Sequence, residues 1–250
     1  MSPTSEPHQC VLVLPTYNEI ENIDRFVRAV RASTPHIHVL IVDDNSPDGT
    51  GDAADNLARE LGNMHVIHRT NERGLGSAYR TGFRHVLSRQ FDHVITMDAD
   101  FSHDPAIIPT FLKLLNSGCD VVIGSRYCPG GSIINWPWYR TALSKWGNLY
   151  SRALLRVSTS DCTTGYRGYT TQALDKIEIE NVPGEGYVFL STIITRAEDE
   201  QLHIVETPIC FANRELGTSK MSAKIAFESM LLVTKLGIKR RVFRQSRQLS

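Results

Sequence analysis

The stretch Val94-Ile95-Thr96-Met97-Asp98-Ala99-Asp100 decides how this chain is read. A short apolar run suited to a buried strand ends in two carboxylates one residue apart. Loops at the carboxyl ends of strands are where open α/β sheets bind ligands. Two hard oxygen donors there suit Mg²⁺ or Mn²⁺ holding a diphosphate. Acidic pairs also start turns and cap helices, so the neighbouring residues weigh on the reading. In Ser102-His103-Asp104-Pro105, proline fits the first helical position and Asp104 its cap. That gives Asp104 a structural task and leaves Asp98 and Asp100 as the metal pair; His103 reads as a loop histidine.

Working outward, short apolar strands alternate with helical stretches. Strands are expected at Cys10–Leu14, Val39–Val42, Val66–His68, Val94–Met97 and Val121–Gly124. Helices are expected at Glu21–Ala32, Asp52–Leu61, about Ser77–Ser88 and Ile107–Leu115. This pace implies βαβ units, hence an α/β fold with a mainly parallel central sheet flanked by helices. The second half is less regular. Tyr127–Trp138 is a Gly/Pro/Trp loop, helices are expected at Arg140–Leu155 and Phe189–Glu200, and a late strand at His203–Phe211. An amphipathic helix, Ala223–Leu236, runs into a basic tail. Without repeats or linkers, residues 1–236 read as one domain and 237–250 as its tail.

The 250 residues suffice for a large core, and their formal net charge is zero. From Lys235 onward there are six cations and no acid, so residues 1–234 carry a net −6. A basic end on a neutral protein points to an anionic partner such as a lipid surface, and nothing points to nucleic acid. Five scattered cysteines without a Cys-x-x-Cys pair suit free thiols in a reducing compartment. The apolar run Cys10–Leu14 is too short for a signal-peptide core, and no stretch approaches the ~20 apolar residues of a spanning helix. The expected place is the cytosol.

The other strand ends carry chemistry of their own. Pro15-Thr16-Tyr17-Asn18-Glu19 offers a ring, an amide and a carboxylate that suit a nucleobase, or else starts the next helix. The Gly-x-Gly-x-x-Gly of a dinucleotide fold is absent there. After Val42, Asp43 and Asp44 leave the strand together. Turn chemistry in Pro47-Asp48-Gly49-Thr50 accounts for Asp48 and Thr50, the latter as an N-cap, but not for that pair. Gly74-Leu75-Gly76-Ser77 reads as loop geometry ahead of phosphate binding. Arg126, Arg140, Arg167, Arg214 and Lys220 are cations on loops expected to share one sheet edge, which suits a substrate with more than one phosphate.

Taken in order, these motifs resemble glycosyltransferase family 2, and within it the dolichol- or polyprenol-phosphate mannose synthases. The landmarks are Pro15-Thr16-Tyr17-Asn18-Glu19, Val42-Asp43-Asp44, Arg73-Gly74-Leu75-Gly76, Asp98-Ala99-Asp100, Gly124-Ser125-Arg126, Thr164-Gly165-Tyr166-Arg167, Glu185-Gly186-Tyr187 and Arg214-x-x-Gly217-x-Ser219-Lys220. The resemblance spans about Cys10 to Leu232 and implies a GT-A type nucleotide-sugar fold. It implies GDP-mannose as donor and a polyprenyl or dolichyl phosphate as acceptor. By position, Pro15, Tyr17, Glu19, Val42 and Asp44 would line the nucleoside site. Asp98 and Asp100 would hold the metal, with Ala99 and Ser102 beside it and Ser102 as a weak ligand. Arg126 and Arg140 would grip the acceptor phosphate, while Arg214 and Lys220 close over the donor. Thr192 stands where many relatives carry a carboxylate.

The implied reaction is attack of a lipid phosphate on the anomeric carbon, displacing GDP with inversion. A phosphate monoester is already anionic near pH 7, so positioning and charge neutralisation are what the residues must supply. A polyprenyl or dolichyl acceptor places the enzyme peripherally on the cytosolic face of a membrane, through the C-terminal helix and basic tail or a membrane-anchoring partner protein. Transfer of another hexose from UDP or GDP, or a non-catalytic nucleotide-sugar-binding subunit, are the alternatives.

Overall fold

Period-two apolar patterning builds the centre of the molecule. In β1 (Cys10–Thr16), Leu12 and Leu14 enter one core, while Val11 and Val13 enter another on the opposite face. Strands buried on both faces belong to a sheet covered by helices on both sides. The computed structural model describes residues 9–70, 73–213 and 230–241.

After β1 come α1 (Ile23–Ser33), β2 (His38–Asp43), α2 (Thr50–Leu61), β3 (Met64–His68), α3 (Leu75–Leu87), β4 (His93–Thr96), α4 (Ile108–Asn116) and β5 (Val121–Ser125). There follow β6 (Ser132–Ile133), α5 (Trp138–Leu155), β7 (Arg167–Thr170), α6 (Thr171–Lys176), α7 (Gly186–Asp199), β8 (Ile204–Pro208) and β9 (Cys210–Phe211). The main sheet has the order β3-β2-β1-β4-β7-β5-β8, and β6 pairs with β9 apart from it. Every neighbour pair in the main sheet is parallel except those made by β7, which runs antiparallel between β4 and β5. One core packs α1, α2 and α4 on one face around Phe26, Phe111 and Tyr166. The other packs α3 and α7 around Tyr79, Phe83 and Phe189.

The expected α/β class and the five early strands stand. Strand β7 was not foreseen, because Arg167-Gly168-Tyr169-Thr170 opens on a charge and a glycine. The glycine leaves little room: a Cβ at Gly168 would sit 3.0 Å from the Phe111 ring and 3.1 Å from Leu115. Arg167 is therefore not a loop cation. It is fully buried, donating 2.7 Å to the Leu190 carbonyl and 3.0 Å to that of Cys162. The late strand breaks between β8 and β9. Half of the Ala223–Leu236 helix lies outside the described residues, but residues 230–241 are helical, so the expected boundary at Leu236 falls inside a helix. Arg240, counted with the tail cations, turns inward to Asp199 at 2.7 Å and to the Leu155 carbonyl.

Candidate active site

The chain runs β1, β2, β3 in one direction and then crosses to β4 on the other side of β1. That reversal opens a crevice at the carboxyl ends of β1 and β4, where α/β sheets take ligands. The exits of β1 and β2 are stitched together across it. Thr16 Oγ1 donates to Asp43 Oδ1 at 2.9 Å, and Ser46 donates to Asp43 through its N–H and its hydroxyl. The N–H groups of Asn18, Glu19 and Ile20 bind Ser46, Thr50 and Asp48. Asp43 is thus spent on the loop. Thr50, expected as an N-cap, instead occupies the first turn of α2 after Gly49 and donates to Asp48.

Asp44 has a different environment. Its carboxylate pairs with Arg69 at 2.9 Å and accepts from the Gly74 N–H at 3.0 Å. Burial raises its pKa, countered by Gly74 and Arg69. It therefore ties β2 to the loop before α3. Gly74 there has φ +129° and would place a Cβ 2.6 Å from Glu185. Glu185 accepts from the N–H groups of Gly76 and Ser77 and pairs with Arg80 at 2.7 Å. The chain's own carboxylate thus occupies the start of α3, in keeping with loop geometry over phosphate binding. Arg73 stacks over the Tyr17 ring at 5.2 Å, closing the other side of the crevice.

Past β4, Asp98 is half exposed while Ala99, Asp100, Ser102 and His103 are buried. The turn passes through Phe101 at φ 59°, a strained conformation held where that ring packs edge-on against Phe26 and lies under Arg25. Ser102, expected beside the metal as a weak ligand, is hydrogen-bonded to Asp100. Its N–H and hydroxyl both donate to Asp100 Oδ1, at 3.0 and 2.5 Å, and so aim the carboxylate. The Asp98 N–H donates to His103 Nδ1 at 3.4 Å. Burial lowers the His103 pKa to about 4, with Asp100 countering in part, so the ring is neutral near pH 7. Asp104 caps the following 3-10 turn by accepting from the Ala106 N–H, as its place before Pro105 predicts. All-oxygen donors, one of them open to solvent, beside an uncharged imidazole fit a hard divalent cation.

Arg126 leaves β5 buried and already paired. Asp161 accepts from its Nε at 2.7 Å and its Nη2 at 2.8 Å, and Thr163 accepts from Nη2 at 2.5 Å. Burial would lower the pKa of Arg126 and raise that of Asp161. The pair reverses both, so Arg126 is raised, Asp161 lowered, and both stay charged. Arg140, on the first turn of α5, stacks over Trp136 at 3.9 Å and donates to Asn213 at 3.2 Å. The Tyr187 phenol lies in the field of Arg126, Asp98, Arg140 and Asp161, its pKa raised chiefly by burial.

Asp98, Arg126 and Arg140 thus share the neighbourhood of Tyr187, and Asp100 and Arg126 that of His103, while Pro15, Tyr17, Glu19 and Asp44 lie at the carboxyl ends of β1 and β2. Val42 is not on its surface, because that side chain packs beneath α3 against the Gly82 position. Arg214 and Lys220 lie outside the described residues. Thr192 is buried and donates to the Val188 carbonyl, so it offers nothing to a ligand. Sequence reasoning missed Asp161 and Tyr187. Tyr187 was signalled by its place in Glu185-Gly186-Tyr187; Asp161, 35 residues from Arg126, had no local signal.

Residues 11–178 match the family described as Glycosyl transferase family 2. The chain is 46% identical over 243 residues to a polyprenol monophosphomannose synthase of Mycolicibacterium smegmatis, covering 96% of this chain and 92% of that one. It is 44% identical over 226 residues to an undecaprenyl-phosphate mannosyltransferase of Micrococcus luteus, covering 90% and 93%. Its fold is similar to glucosyl-3-phosphoglycerate synthase from Mycobacterium tuberculosis, solved with Mn²⁺, UDP and phosphoglyceric acid (TM-score 0.65, 15% identity, 92% of this chain and 77% of that chain). It is also similar to a mannosyltransferase from Pyrobaculum calidifontis solved with GDP-Man and Mn²⁺ (TM-score 0.63, 16% identity, 94% and 65%). The sheet is of the GT-A type, and the chain belongs to glycosyltransferase family 2.

Proposed function

We propose that this protein moves mannose from GDP-mannose to a polyprenyl phosphate, with inversion, at the cytosolic face of a membrane. The observation that carries the reading is an acidic pair close to two cations: Asp98 and Asp100 after β4, the buried Arg126 after β5 and the half-buried Arg140 on α5. The relatives' names support the acceptor class.

Pro15, Tyr17, Glu19 and Asp44 hold the nucleoside, with Tyr17 backed by Arg73. Asp98 and Asp100 hold a divalent cation, which when bound supplies positive charge to the diphosphate. Ser102 keeps Asp100 aimed. Arg126 and Arg140 receive the acceptor phosphate, bringing together two anions that otherwise repel. Because Asp161 already fixes the Arg126 fork, that cation is positioned before the acceptor arrives. One phosphate oxygen forms the new bond to the anomeric carbon as the bond to the donor diphosphate breaks. No proton must be removed from an ionised nucleophile, so no general base is needed. Arg214 and Lys220 complete the donor side, and residues 1–236 act as one catalytic unit.

The test is to incubate the purified protein with GDP-mannose, UDP-glucose or UDP-N-acetylglucosamine, each with a polyprenyl phosphate and Mg²⁺ or Mn²⁺, and to identify the glycolipid. Polyprenyl-phosphate mannose from GDP-mannose alone is expected. A hexose taken from a UDP-sugar instead, or no glycolipid under any combination, overturns the reading.

A further inference from the structure

Helix α5 is built inside out. Its buried face carries Asn148, Ser151 and, in the last turn, Leu155, with Ser144 half-buried beside them, and each of the three polar residues makes a hydrogen bond. Asn148 accepts from the Cys162 N–H and donates to the Ser160 carbonyl. Ser144 meets the Tyr127 hydroxyl at 2.6 Å, and Ser151 donates to the Gly147 carbonyl. Its outer face carries Trp138, Tyr139, Leu143, Trp146 and Leu149, with Trp138 at 82% exposure and none of the five below 50%. A water-facing helix places its apolar stripe on the core, so this reversal calls for an apolar neighbour outside the molecule.

Charge narrows what that neighbour is. Residues 127–160 contain no Asp or Glu and four cations: Arg140, Lys145, Arg152 and Arg156. The described helix 230–241 lies alongside α5, with the Tyr150 hydroxyl 2.8 Å from Thr234 Oγ1. It too has no acid and exposes Leu231, Leu232 and Ile238. A second copy of this face would meet like charge. An anionic bilayer interface offers negative headgroups at the rim, apolar chains beneath, and the boundary that Trp and Tyr favour.

We infer that the outer face of α5 is the surface by which this protein lies on an anionic membrane, with helix 230–241 extending it. The inference rests on the polyprenyl-phosphate reading for its meaning but not for its test. Arg140 sits at the α5 end that borders the crevice, so a chain entering from this face delivers its headgroup there. To the expected contact through the C-terminal helix and basic tail this adds α5, while Arg240 of that tail is spent inside the molecule.

All three tryptophans, Trp136, Trp138 and Trp146, lie in or just before α5, so intrinsic fluorescence reports on this face. The full chain is titrated, without substrates, with vesicles of phosphatidylcholine and phosphatidylglycerol carrying brominated acyl chains. Quenching is expected, and replacing Leu143, Trp146 and Leu149 together by Ser weakens vesicle flotation at least about tenfold with an unchanged melting temperature. Flotation survives removal of residues 242–250. Unquenched fluorescence, flotation unaffected by the triple substitution, flotation lost with residues 242–250, or reversible self-association of the wild type without vesicle binding each overturns the inference. Transfer to a short-chain acceptor in detergent is measured separately. Failure there with quenching intact sinks the acceptor reading, and failure of quenching with transfer intact sinks this one.

Discussion

Helices α1 and α5 stand on opposite sides of a physical rule. In α1 the apolar residues Ile23, Phe26, Val27 and Val30 are buried, while Asp24, Arg28 and Glu60 of α2 pair in solvent. In α5 Asn148 and Ser151 are inside with Leu155 at the C-terminal end, while Trp138, Tyr139, Leu143, Trp146 and Leu149 are outside. The difference extends to the halves they belong to. From β1 to β4, loops are stitched mostly by neighbours in sequence or on adjacent strands, such as Asp43 to Ser46 and Asp100 to Ser102. Beyond β5, the polar anchors span greater distances, such as Arg126 to Asp161 and Asp199 to Arg240. The first half has a core of ordinary sense. In the second half the buried face of α5 carries bonded polar groups while its outer face remains apolar.

The comparison breaks first at Asp100. Asp100→Ala should cut glycosyl transfer on the order of 10³-fold with little change in melting temperature, because the loss falls on diphosphate charge. Activity within a few-fold of wild type removes the donor half from the chemistry.

A large stability effect should come from the other half as well. Asp161→Ala leaves the Arg126 guanidinium buried and unpaired, costing about 3–5 kcal/mol in denaturant unfolding. The pH dependence has a definite sign. The folded pKa of Asp161 is lowered, so its contribution is present above an unfolded value near 4 and is lost as pH falls below it. Wild type and variant should therefore converge in stability as the pH drops below about 4. His103 acts over a higher window. Its folded pKa is about 4, so stability should fall as pH drops from about 6.5, where the unfolded ring gains a proton, towards 4.

Asn148→Ala sharpens the contrast at smaller scale. It strands the Ser160 carbonyl and the Cys162 N–H in a buried place, for about 1–3 kcal/mol. The smallest effect is expected on the outer face. Leu149→Ser should change stability by no more than about 0.5 kcal/mol, whereas Phe26→Ala in α1 costs about 3–5 kcal/mol. Equal costs for these two apolar truncations would erase the distinction between the helices.

The first half was legible because its signals are local. Strand periodicity at Cys10–Leu14 and Val94–Met97, and the cap at Asp104-Pro105, are written within a few residues, and the structure keeps them. Adjacent acids were less legible. Asp43 and Asp44 look alike in sequence, yet one is consumed by Thr16 and Ser46 while the other pairs with Arg69 and Gly74. Cations were least legible. Arg126, Arg167 and Arg240 look like surface charges, but each is buried on partners 5 to 85 residues away.

The sequence by itself determined the alternating sheet, the carboxylates at the end of β4 and the family, because these depend on local patterning and motif order. Only the tertiary structure decided that β7 enters antiparallel beside β4, that Asp161 holds Arg126, and that α5 turns its apolar face outward. Helical periodicity shows that a helix has an apolar side. Which way that side points depends on what the rest of the chain packs against the other.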